Sequence, residues 1–300
     1  MRALNIGFVL VAAFLMAFDL VVSELAMRAY GADSLTMAAA PTIVGGVMLV
    51  AYAFRKDRCF LIDPRGSDWM ELGGNVVFGA LGALLTFDSV ARIGAGKAML
   101  LGSNTTEAIF IIVLSFLLLK ERLSKMEGVG CLVILAGATI ITFNPSSLAF
   151  ELGLGELEIL LASLSYAVSV VCAADLVRRV EPTKFVAVSG FLQGVILMIF
   201  LLLVGSIGGN SPEVLFIIIL TGVLSGIAFL LYAMGLKGIG ASLTSVVYSF
   251  VGIFSLMIGA LFIWAMPGLE LVFPPSPLLA SIGSAIAIAG VYLLNKYKAK

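Results

Sequence analysis

Residues 4–26 read LNIGFVLVAAFLMAFDLVVSELA, an apolar run broken only by Asn5, Asp19, Ser23 and Glu24. A helix crosses the hydrocarbon core of a bilayer in about 20 such residues, so this run predicts a membrane span. Arg2 precedes it, as in a signal peptide. The run is nevertheless long, carries two acids and lacks an A-x-A cleavage site, and it is read as a helix of the bundle. The same ruler finds runs near 35–54, 72–91, 97–119 and 126–143, then near 156–177, 184–205, 213–236, 242–265 and 277–295. Turn-forming residues separate them: Pro64 and Gly66, Asn144-Pro145, Glu181-Pro182, Gly208-Gly209-Asn210 and Pro274-Pro275. The expected fold is an all-α membrane protein of ten transmembrane helices with short connections.

Composition points the same way. The chain is 61% hydrophobic and 12% charged, against about half and about a quarter in soluble domains, which leaves too little polar residue to cover a water-facing surface. Histidine is absent, which removes the commonest general base and metal ligand. A net charge of +0 argues against a nucleic-acid partner. Cys59, Cys131 and Cys172 show no C-x-x-C spacing, so neither a disulfide framework nor a zinc site is indicated. No cofactor or metal is expected.

Lysine and arginine collect on the cytoplasmic side of membrane proteins. With the N-terminus inside and ten spans, only Arg28, Arg92 and Lys97 of the 18 basic residues fall outside. Both termini are therefore expected in the cytoplasm. The halves also resemble each other. Leu84-Leu85-Thr86 through Ile93-Gly94-Ala95 lines up with Leu230-Leu231-Tyr232 through Ile239-Gly240-Ala241. Gly130 and Ala136-Gly137 line up with Gly283 and Ala289-Gly290, and Ala12, Ala17 and Arg28 with Ala162, Ala167 and Arg178. Five helices per copy is an odd number, so the second copy enters from the opposite side. The expectation is two inverted five-helix repeats, 1–146 and 147–300, with a binding site near the midplane between them.

Ile93-Gly94-Ala95-Gly96 at a helix start, an apolar helix ending Leu119-Lys120-Glu121-Arg122-Leu123-Ser124, then Gly128-Val129-Gly130 and Ala136-Gly137 resemble the EamA-type branch of the drug/metabolite transporter superfamily. The same order, more degenerate, returns from Ile239 to Gly290. Family members carry a proline in the fourth and ninth helices, where this chain has Thr106-Glu107 and Gly252-Ile253, and the acid after the ninth helix is displaced to Glu270. The resemblance implies secondary transport of a small metabolite or amino acid, more often export, in the plasma or inner membrane and without an ATP site.

Ionisable groups inside spans are costly and mark candidate sites. Glu107 falls near the midplane of its run and Asp19 some two-thirds of the way outward, at about 1.5 Å per residue. Ser103, Asn104 and Glu107 share a helix face. Glu107 and Asp19 suit a substrate amino group or a coupling proton; the plainer alternative is a neutral acid hydrogen-bonded to a neighbouring helix. Asp88 with Arg92 and Glu24 with Arg28 stand four residues apart, a spacing that forms ion pairs near the outer interface. Asp175, just before Arg178 and Arg179, reads as an interfacial anchor. The second half offers Gln193, Tyr166, Tyr248 and Ser249 among several serines; serine is often packing glue, whereas a buried amide or phenol needs a partner. A carboxylate-bearing half facing a hydroxyl-bearing half suits a small amino compound or zwitterion. Without histidine, H-E-x-x-H or a G-x-G-D element, an intramembrane enzyme is not expected. A channel and a non-transporting scaffold remain as alternatives.

Overall fold

The computed structural model describes residues 2–58, 62, 68–102, 106–118, 125–144, 149–150, 153–204, 211–266, 268, 271–272 and 276–296, and within them every apolar run is mainly helical. The helices are α1 (Arg2–Ala29), α2 (Ser34–Asp57), α3 (Asp68–Ile93), α4 (Ala95–Leu101), α5 (Glu107–Leu118) and α6 (Lys125–Thr142). Then follow α7 (Leu154–Arg179), α8 (Pro182–Val204), α9 (Pro212–Ile239), α10 (Ala241–Tyr248), α11 (Phe250–Ala265) and α12 (Pro277–Lys296). Between α6 and α7, β1 (Phe143–Asn144) pairs antiparallel with β2 (Ala149–Phe150). Seven helices among the described residues are long and apolar enough to span a membrane: α1, α2, α3, α7, α8, α9 and Ala241–Ala265 taken together. The protein is an all-α, multi-spanning membrane protein.

Local chemistry sets the ends. Asp33 caps α2, its carboxylate accepting from the Thr36 amide at 2.8 Å, and Ser211 caps α9 ahead of Pro212. Pro41 lies inside α2 and leaves the Met37 carbonyl without its helical donor; the adjacent Thr42 hydroxyl donates to the next carbonyl, that of Ala38, at 2.6 Å.

Two runs read as continuous helices are broken in the structure. The run 97–119 divides between α4 and α5, and Thr106 Oγ1 donates to the Leu101 carbonyl at 2.8 Å and to the Gly102 carbonyl at 3.3 Å. The run 242–265 divides at Ser249, whose hydroxyl donates to the Val246 carbonyl at 2.8 Å. Neither break has a proline; at each a hydroxyl donates to a carbonyl earlier in the chain. Both broken helices start alike, because Gly94 and Gly240 adopt φ of 80° and 81°, a region that glycine enters without a steric penalty.

The helices pack pairwise: α1 along α9, α2 along α8 and α9, α3 along α7, and α6 along α12, with α4 against α11 and α5 against α7 and α10. Backbone contact is close in places. A Cβ on Gly45 would stand 2.6 Å from the Gly222 carbonyl oxygen, and one on Gly137 2.5 Å from that of Gly283, as small residues allow between membrane helices. Leu203, Phe216 and Trp264 point outward, exposed on the surface, where lipid rather than water is the fitting solvent.

Candidate functional site

One cavity lies between the helices, with about 130 Å³ open to the centres of water-sized molecules, roughly ten times what a single water requires. Asp19 reaches it from α1, buried, with the Ser23 hydroxyl donating to its Oδ1 at 3.3 Å. Glu107 reaches it as the first residue of α5, also buried.

Aromatic and amide groups complete the walls. Tyr166 of α7, Tyr232 of α9 and Tyr248 at the end of α10 line the cavity, and Tyr232 meets Tyr248 edge to face with ring centroids 4.8 Å apart. Tyr166 and Tyr248 both lie within electrostatic reach of Glu107 and Asp19. The Tyr232 hydroxyl is buried with no hydrogen-bond partner among the described residues. Toward α3, Asn75 Nδ2 donates to Ser169 Oγ at 2.9 Å, Ser169 Oγ donates to the Asn75 carbonyl at 3.0 Å, and Gln193 Nε2 lies 3.4 Å from Asn75 Oδ1. Two glycines of α3 make this possible: a Cβ on Gly79 would stand 2.6 Å from Gln193 Nε2, and one on Gly82 2.9 Å from the Tyr166 ring.

Of the residues singled out in the sequence, the cavity thus brings together Glu107, Asp19, Gln193, Tyr166 and Tyr248. Ser249 is buried at the α10–α11 break and is not among the described lining residues. Ser103 and Asn104 lie outside the described residues. Asp88 and Arg92 form their ion pair at 3.1 Å, in partial contact with solvent, and Asp88 also accepts from the Ser34 hydroxyl.

Glu24 departs from the surface ion pair expected of it. It pairs with Arg28 at 3.0 Å but is buried, and its other contacts are backbone amides: Ala95 N–H at 2.7 Å and Val272 N–H at 2.9 Å. It therefore ties α1 to the start of α4 and to the segment before α12. Beside it lies a pair that sequence reasoning missed, Lys97 with Glu156 at 2.5 Å, both buried. Glu156 also accepts from the Gly153 amide at 2.9 Å and so closes the first turn of α7. The opposite end of the bundle carries Arg179, which bridges Asp68, Glu71 and Asp175, together with the pairs Lys56–Glu181 and Lys184–Asp57.

Ser169, one of the serines of the second half, also lines the cavity. Asn75 and Tyr232 were missed. A lone asparagine in the apolar run 72–91 was the available signal, since an amide placed there needs a partner. Tyr232 carries no such mark, because tyrosine is common in membrane helices.

A family model described as the EamA-like transporter family matches residues 4–143 and again residues 153–296. No curated protein matches the chain. A crystal structure of a protein with 19% sequence identity superposes with a TM-score of 0.74, covering 99% of this chain and 98% of its own. At that identity the likeness speaks for the fold.

Proposed function

This chain belongs to the EamA-like transporter family, and from that premise we propose that it is a secondary active carrier working by alternating access. Members of this family are transporters and not catalytic enzymes, and a multi-pass protein of the plasma or inner membrane fits that role. The finer reading is ten spans in two inverted five-helix halves, 1–146 and 147–300, with both termini cytoplasmic. The family model fits the chain twice, at 4–143 and 153–296, which supports the repeat. So does the packing, in which α1 lies on α9 as α7 lies on α3, and α4 meets α11 as α10 meets α5.

One observation carries the reading. Asp19 and Glu107 from the first half face Tyr166, Gln193, Tyr232 and Tyr248 from the second across a shared cavity. Such a cavity between repeats is where a carrier holds its substrate while the halves rock. The substrate is a small metabolite with an amino group, Glu107 and Asp19 receive that group or a coupling proton, and the direction is export. Uptake of radiolabelled amines and amino acids into proteoliposomes, with and without an imposed pH gradient, tests this. Gradient-driven flux abolished by Glu107→Gln is the expected result. Flux unchanged by that substitution overturns the role of Glu107, and absence of carrier-mediated flux for every compound overturns the carrier.

A further inference from the structure

The titratable groups lining the cavity are all acids. The carboxyls of Asp19 and Glu107 reach it, and no lysine or arginine lines it among the described residues. Lys97, outside the described lining, pairs with Glu156. The rest of the lining is uncharged: Phe87, Phe185, Phe229 and three tyrosines stand beside the amides of Asn75 and Gln193 and several serine and threonine hydroxyls. Aromatic faces attract cations through the ring quadrupole, and more strongly where water is excluded. The buried Tyr232 hydroxyl adds a polar contact that takes up no partner among the described residues.

A zwitterionic amino acid would gain from such a site through its ammonium group and lose through its carboxylate. The carboxylate would leave water for an acid-lined, low-dielectric space and meet no cation there. An amine with the same body but no carboxylate keeps the gain and avoids the loss.

We propose that the cavity is an organic-cation site, taking amines on an apolar or aromatic body and rejecting compounds that also carry a carboxylate. Its use in transport rests on the carrier reading; its binding preference does not. Asp19 and Glu107 hold the ammonium group, the tyrosine and phenylalanine rings hold the body, and Tyr232 Oη offers a hydrogen bond.

The test uses the full chain, purified in detergent, and titrates phenethylamine against phenylalanine, which differ by one carboxylate. Phenethylamine binding at least about tenfold tighter is the expected result. Asp19→Asn and Glu107→Gln each weaken it by about tenfold, and Glu107→Asp retains part of the affinity. Tyr232→Phe, which removes only the unpartnered hydroxyl, weakens the amine about fivefold, the size of one neutral hydrogen bond, with an unchanged thermal melt. Phenylalanine binding as tightly as phenethylamine overturns the inference, as does failure of the amine to bind a folded protein. Flux in proteoliposomes separates the two readings. Amine binding with no flux of any compound leaves the cation site and removes the carrier; a moved amino acid does the reverse.

Discussion

At the end of the bundle where α1 stops, the Glu24, Lys97 and Glu156 side chains are 2%, 7% and 5% exposed. At the end where α1 begins, Lys56, Arg179 and Asp175 are 46%, 43% and 52% exposed. The same chemistry is therefore held in two ways. Buried charges have already left water, so separating them without rehydration is expensive. Solvated pairs contribute little and separate easily. In the proposed orientation the first end, which also carries the solvated Arg92–Asp88 pair, faces outward and the second faces the cytoplasm; we take the buried set as an outer latch and the solvated pairs as a weaker inner one. The proposed repeat sharpens the contrast. Aligning Ala95 with Ala241 sets Lys97 opposite Leu243, and aligning Ala12 with Ala162 sets Glu156 opposite Ile6. Leu243 and Ile6 belong to one apolar cluster with Val9 and Val247. An ionic contact at one end corresponds to an apolar one at the other.

The largest expected effect follows from stranding a buried charge. Lys97→Met leaves Glu156 without its partner and is expected to cost about 3–5 kcal/mol, read as a fall in melting temperature in detergent. The double variant Lys97→Met with Glu156→Leu recreates the apolar solution found at Leu243 and Ile6. It is expected to melt at or above the parent. A double variant as unstable as the single one breaks the correspondence between the ends.

Glu24→Gln comes next. The amide keeps the size and one acceptor but loses the charge that strengthens the bonds from Ala95, Val272 and Arg28. Hydrogen bonds to charged groups contribute about 1.5–3 kcal/mol. Amide hydrogen exchange at Ala95 and Val272 is expected to rise tenfold or more, while exchange at the Arg179 end stays unchanged. Uniform acceleration would instead mean a global loss of stability and no separate latch.

These two residues also mark how far the sequence could be read. The helices were legible because about 20 apolar residues bounded by turn-formers leave few other options in lipid. Glu107 and Asp19 were legible because a carboxylate inside such a run stands out. Lys97 and Glu156 were not, since each falls at the edge of its run, where a charge reads as an anchor, and they meet only through packing of α4 with α7. The depth of Glu24 was hidden likewise: its partners are backbone amides, which no sequence pattern announces. The breaks at Thr106 and Ser249 were missed because the usual mark of a broken membrane helix, a proline, is absent there.

At the exposed end, Arg179→Met is expected to be intermediate. Arg179 is itself exposed, but it meets Asp68, whose side chain is only 8% exposed. Removing it takes one cation away from a nearly buried carboxylate and from two more exposed ones, so the loss should fall between those of Lys97→Met and Lys56→Met. Melts of the three variants under one buffer check that order.

The smallest effect is expected at Lys56. Its bond to Glu181 joins two partly solvated side chains, and such pairs contribute about 0–1 kcal/mol. A double-mutant cycle of Lys56→Met and Glu181→Gln should give a coupling in that range, fading at high salt as the Debye length shrinks to about 3 Å at 1 M. The matching cycle of Lys97→Met and Glu156→Leu should give a coupling several times larger and nearly insensitive to salt, because no ions reach a buried pair. Single substitutions mix the pair with whatever else each side chain touches, whereas the two cycles isolate the pairs themselves. Equal couplings, or equal salt dependence, would mean that both ends are solvated alike in the membrane and that the outer latch is no stronger than the inner one.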